Sequence, residues 1–114
     1  MESAYEACVC AELGERGIAF ERQRAMPMTY KGVRLDCGYR LDLVVRGSIL
    51  LELKVVERLL PIHEAQVITY LRLSRLPVGL LVNFNVTVLR NGLRRLTPDR
   101  PKSFRSSALP VKSA

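Results

Sequence analysis

The feature that most constrains this chain is a matched alternation on either side of Arg46-Gly47-Ser48. The odd positions before it read Val33, Leu35, Cys37, Tyr39, Leu41, Leu43 and Val45, while the even ones carry Arg34, Asp36, Gly38, Arg40, Asp42 and Val44. Period two over such a length defines a strand with one apolar face. With residues 46–48 as a three-residue loop, Val45 faces Ile49, Leu43 faces Leu51, Leu41 faces Leu53 and Tyr39 faces Val55. Every pair is apolar, and a slip of one residue would set apolar against polar side chains throughout, so the pattern specifies its own register. The same register sets Asp42 opposite Glu52, and Arg40 opposite Lys54, on the other face.

The remaining elements follow from local signals. Lys31-Gly32 reads as a two-residue hairpin turn that brings Met28 opposite Leu35 and Met26 opposite Cys37, which makes Cys37 a core thiol. Residues 2–16 form a helix closed by Gly17, with Tyr5, Val9 and Leu13 in one apolar stripe. Glu2 and Glu6 fall close to that stripe, an unusual place for carboxylates. Pro61 opens a second helix that runs to about Arg75 and stops at Pro77. His63, Gln66, Tyr70 and Ser74 share one of its stripes, and Ile62, Ala65, Leu73 and Leu76 another. The apolar run 78–84 suits a strand covered on both faces, and Asn91-Gly92 marks a turn before a short strand at 93–97. The order is helix, three-strand meander, helix, strand: an α/β fold with a mixed sheet.

Composition narrows the class. At 114 residues and 48% hydrophobic content the chain suits one globular core. No apolar run approaches the ~20 residues of a membrane span, and no signal segment opens the chain, so a cytoplasmic location is expected. Cys8, Cys10 and Cys37 are odd in number and lack paired spacing, which predicts reduced thiols rather than a disulfide framework or a structural metal. The net charge of +7 favours a polyanionic partner. Residues 1–97 hold +4 of it and form the expected domain, and residues 98–114 hold +3 among prolines and serines, a basic tail expected to be disordered.

Asp42 and Glu52 need a reason to stand opposite one another, because like charges so placed are destabilising. A divalent cation is one. Mg²⁺ takes one or two carboxylates, keeps several waters and binds phosphate. Lys54 follows on the same face about 6.6 Å along the strand, where its ammonium could hold a water or neutralise a developing phosphorane. The carbonyl of Leu53 between them is a further candidate oxygen ligand.

Leu41-Asp42, ten residues, then Glu52-Leu53-Lys54 resembles the PD-(D/E)XK nuclease superfamily, and Gln66 with Tyr70 matches its QxxxY helix motif. Within it the chain resembles the GxxExxY family, through Glu2-x-x-Tyr5, Leu35-Asp36-Cys37-Gly38-Tyr39-Arg40 and His63-Glu64-Ala65-Gln66. Leu41 replaces the proline of the motif, and the opening glycine does not precede Met1. The resemblance implies a restriction-endonuclease-like core over 1–97 and a Mg²⁺- or Mn²⁺-dependent nuclease. Its expected substrate is nucleic acid, DNA before RNA, with oligomerisation left open. It assigns Asp42 and Glu52 to the metal and Lys54 to catalysis. Glu6 or Glu2, Glu6 preferred because Glu2 sits at a fraying end, matches a first-helix carboxylate that joins the metal shell beside the Leu53 carbonyl. Gln66 and Tyr70 would support the site and contact the phosphate backbone, with His63 beside them on the same helix stripe. His63 reads more simply as a polar helix-start residue than as a base. The alternative is a non-catalytic nucleic-acid-binding module on the same fold.

Overall fold

The computed structural model describes residues 1–99, apart from the side chains of Leu35, Asp36 and Cys37. Helix α1 spans Glu2–Glu15 and ends as its glycine requires: Gly17, at φ 67°, and Ile18 donate their N–H groups back to the carbonyls of Gly14 and Leu13. Strands β1 (Phe20–Tyr30), β2 (Val33–Val45) and β3 (Ile49–Lys54) form the meander. Helix α2 (Pro61–Ser74) then crosses to β4 (Val78–Asn83), and a short 3₁₀ turn at Leu89–Gly92 precedes β5 (Leu93–Leu96). The sheet order is β1-β2-β3-β4-β5. All pairs are antiparallel except β3 with β4, whose parallel pairing requires the α2 crossover.

Both hairpins hold the expected register beside their turns. The β1–β2 register shifts between Ala25 and Pro27, where pairing passes from Pro27–Asp36 to Ala25–Arg40, so the expected pairing of Met26 with Cys37 is not made. Tyr30 pairs with Val33 around Lys31 and Gly32, both at positive φ, and Met28 pairs with Leu35. Val45 pairs with Ile49 and Leu43 with Leu51. The burial of β2 departs from expectation, since Val33 and Tyr39 are 58% and 60% exposed. The outer half of the β1–β2 hairpin meets α2 only across open clefts, so its alternation is not closed into a core. The inner half is covered twice: Leu43, Leu53 and Val82 pack with Cys10 of α1, while Val44, Leu50 and Leu81 pack with Val67, Ile68 and Leu71 of α2. These three, rather than the stripe of Ile62, Ala65 and Leu73, form the buried face of α2. Gly79 explains the choice: a Cβ there would lie 3.0 Å from Val67 Cγ1, so the missing side chain lets that face approach β4.

Pro98, the first residue of the expected tail, is half-buried and its carbonyl accepts Arg72 Nε at 2.7 Å. Residues 100–114, and the expectation that Cys37 is a core thiol, lie outside what is described. Among the described residues no helix is long and apolar enough to cross a membrane.

Candidate active site

The β2–β3 ladder ends at Leu43 and Leu51, and there the two carboxylates take over the hydrogen bonding. The N–H of Asp42 donates to Glu52 Oε2 at 3.0 Å, and the N–H of Leu53 donates to Asp42 Oδ2 at 2.8 Å. Each strand gives a peptide N–H to the other's side chain. The expected pairs Leu41 with Leu53 and Tyr39 with Val55 are therefore not made, since side chains occupy the donors that a continued ladder would need. On the other side of β2 the chain is irregular as well. Gln23 sits at φ 49° between the pairs Arg22–Leu43 and Arg24–Leu41, and Leu41 joins the same core cluster as Val44, which strict alternation forbids. At Asp42 the ladder to β3 stops, while β1 keeps its register opposite it through the left-handed Gln23.

Glu52 is 6% exposed. Burial, then the neighbouring charge of Asp42, pushes its carboxyl up to about 7, against the opposing effects of the Asp42 N–H and Lys54. Asp42, half-buried, is raised by burial in the same direction, with Glu6 and Glu2 adding to it and the Leu53 N–H and Lys54 opposing. The pair is short of positive charge. Lys54 ends β3, half-buried, and is held by its backbone: it pairs with Asn83, and its carbonyl accepts the Phe84 N–H at 2.9 Å.

Asn83, unassigned by the sequence reading, fixes the chain leaving Lys54. At 2% exposure it accepts the Val56 N–H at Oδ1 (3.1 Å) and donates from Nδ2 to the Val56 carbonyl (2.9 Å). The available signal was a lone amide ending an otherwise apolar strand. Asn83→Ala strands the Val56 N–H, while the Val56 carbonyl keeps its bond from Asn85 Nδ2 at 3.1 Å, and thermal melting should show a loss of about 1–3 kcal/mol.

Helix α1 is pinned over this end of the sheet by Tyr5, whose ring stacks on Phe84 with centroids 4.5 Å apart. That places Glu6 beside the site at 8% exposure, but its two oxygens accept Arg22 Nε at 3.1 Å and Gln23 Nε2 at 2.9 Å. Glu2 is exposed. Cys10, also unassigned, lies one turn beyond Glu6 on the buried face, and burial raises its thiol.

The residues of α2 stand elsewhere. Exposed Gln66 and half-buried Tyr70 line an open cleft of about 350 Å³ with Met26, Ile62 and Tyr39; the Tyr39 and Tyr70 rings are 6.5 Å apart. Asp42, Glu52 and Lys54 do not line this cleft, so the structure does not bring Gln66 and Tyr70 to the carboxylates. His63 Nδ1 accepts the Leu60 N–H at 2.9 Å, a helix cap, in line with the simpler reading of that residue.

No group of three or more His, Cys, Asp or Glu among the described residues is placed to hold a metal. The two carboxylates still suit a hard cation. Asp42 Oδ1 and Glu52 Oε1 make no hydrogen bond to described residues, the donors are all oxygen, and burial leaves the pair wanting positive charge.

A mixed sheet with a central parallel pair, helices on both faces, and two carboxylates and a lysine at the break between its strands defines a restriction-endonuclease-like protein. A family model described as the PD-(D/E)XK nuclease superfamily matches residues 1–96, and the chain belongs to that superfamily. No curated protein and no solved structure matches it.

Proposed function

We propose that the chain is a nuclease of the GxxExxY kind that hydrolyses phosphodiester bonds of DNA with Mg²⁺ or Mn²⁺. The observation that carries this reading is the buried pair Asp42 and Glu52, each with one oxygen fixed by a peptide N–H and one left over. Those two oxygens would hold the cation, with the Leu53 carbonyl as a further ligand. The bound ion supplies an activated water and stabilises charge on the entering and leaving oxygens. Lys54, held at its backbone by Asn83 and Phe84, places an ammonium beside both carboxylates, where it offsets negative charge at the reacting phosphate. Gln66 and Tyr70, in the cleft beside α2, would orient the phosphate backbone away from the carboxylates. Glu6 serves the site by steadying β1 through Arg22 and Gln23, and enters a metal shell only by giving up those bonds.

Incubation of single- and double-stranded DNA and RNA with the protein in Mg²⁺, Mn²⁺ or EDTA tests the reading. DNA cleavage dependent on the metal is expected. Binding without cleavage under every metal condition would leave a non-catalytic binding module.

A further inference from the structure

A second basic feature sits where the end of α2 meets the outer part of the β1–β2 hairpin. Arg34 of β2, with Arg72 and Arg75 of the α2 end, lines a cleft of about 390 Å³ that Thr29 and Ser74 share. Among the described residues no carboxylate forms a salt bridge with any of these arginines. Arg72 commits only Nε, to the Pro98 carbonyl. The Ser74 hydroxyl lining this cleft is buried without a hydrogen-bond partner, although a helical serine can bond the carbonyl one turn back. An unsatisfied buried donor calls for an acceptor from outside. Arg75 occupies the helix cap at φ 57°, a conformation that suits glycine, so the chain keeps a guanidinium where backbone preference opposes it. The helix C-terminus itself disfavours an anion. Its effective charge of about −0.5 is outweighed by three full positive charges.

We infer that this cleft binds a phosphate of the nucleic-acid backbone, anchoring substrate away from the reacting carboxylates; the inference rests on the nuclease reading. Guanidinium forks match phosphate oxygens in pairs, and the Thr29 and Ser74 hydroxyls can donate to the others. Arg34 precedes Asp42 by eight residues on β2, at most roughly 26 Å along the strand. The anchored and reacting phosphates are thus separated by up to about 8 base pairs of duplex.

Fluorescence anisotropy in EDTA, with duplexes of about 6 and about 20 base pairs over a range of salt, tests this with wild type, Arg34→Gln/Arg75→Gln and Arg34→Lys/Arg75→Lys. The glutamine variant should bind the longer duplex about 10-fold more weakly or worse, with a salt slope smaller by about 1 and no dependence on sequence. The lysine variant should keep the slope, and the shorter duplex should separate the variants little. Equal affinity and slope for wild type and the glutamine variant on the longer duplex overturn the anchor, and metal-dependent cleavage by that variant would leave the nuclease reading standing alone. A lost slope combined with no cleavage by wild type keeps the anchor and removes the catalysis. Wild type that binds no DNA overturns the anchor outright. Matching melting curves establish that all three proteins are folded.

Discussion

Lys54→Ala is expected to lower metal-dependent cleavage by about 10²–10³-fold, the range found when one group that stabilises transition-state charge is removed. Its stability should change by less than about 1 kcal/mol, because the side chain is half-buried at a strand end and fills no core position. A second readout separates catalysis from structure. Lys54 holds down the proton affinity of both Asp42 and Glu52, so its loss raises both, and any residual rate should peak at higher pH than in wild type. DNA affinity in EDTA should stay within a few-fold, since a single phosphate contact adds only its share to the salt-dependent term. Cleavage by Lys54→Ala at the wild-type rate would remove Lys54 from the mechanism.

The metal-free protein should lose stability as pH rises from 5 to 8, the reverse of what paired carboxylates give. Glu52 titrates near 4.5 in the unfolded chain and is pushed up to about 7 in the fold. Between those values the native state keeps a proton that the unfolded state releases, so stability is full below about 4.5 and falls until the native group ionises near 7. The interval corresponds to about 3 kcal/mol, or roughly 10–20 °C in melting temperature for a domain of this size. Asp42 acts in the same direction. Glu52→Gln keeps an oxygen to accept the Asp42 N–H and cannot ionise, so its melting temperature should vary much less over this range and exceed that of wild type at pH 8. Mg²⁺ should reverse that order by stabilising wild type alone, by ~2.7 kcal/mol at 100 times the dissociation constant. Melts of both proteins at pH 5 and 8, in EDTA and in Mg²⁺ at fixed ionic strength, decide it. If Glu52→Gln is the less stable protein in EDTA at pH 8, Glu52 is a structural ion-pair partner and the metal assignment fails.

The sequence read well where one local rule acted alone. The pairs Val45–Ile49 and Leu43–Leu51 followed from loop length and apolar alternation, which agree at those positions. The end of α1 followed from Gly17. Reading failed where tertiary contacts override period. Alternation continues through Tyr39 in the sequence, yet only open clefts face the outer hairpin, and Leu41 joins the α2-side core with Val44 where the β2–β3 ladder gives way to side-chain bonds at Asp42. The meeting of Asp42 with Glu52 was legible because both lie in one hairpin. How they meet was not, since carboxylates that accept strand N–H groups look the same in sequence as a face-to-face pair. Asn83 and Cys10 were missed for a related reason: each acts through a segment distant in the chain, Val56 for the first and the β3–β4 core for the second.

The mixed sheet also separates the two halves of the site in folding. Asp42 and Glu52 are ten residues apart, while Lys54 and Asn83 are joined across twenty-nine. Loop-closure entropy makes the longer connection dearer by about 1 kcal/mol, and it carries a helix that must dock before the strands can pair. The meander therefore brings the carboxylates together at low contact order, before β4 supplies the amide that clamps Val56. During that interval the opposed charges stand in a partly hydrated hairpin, where water screens them, and their repulsion grows only as the second layer closes over the sheet.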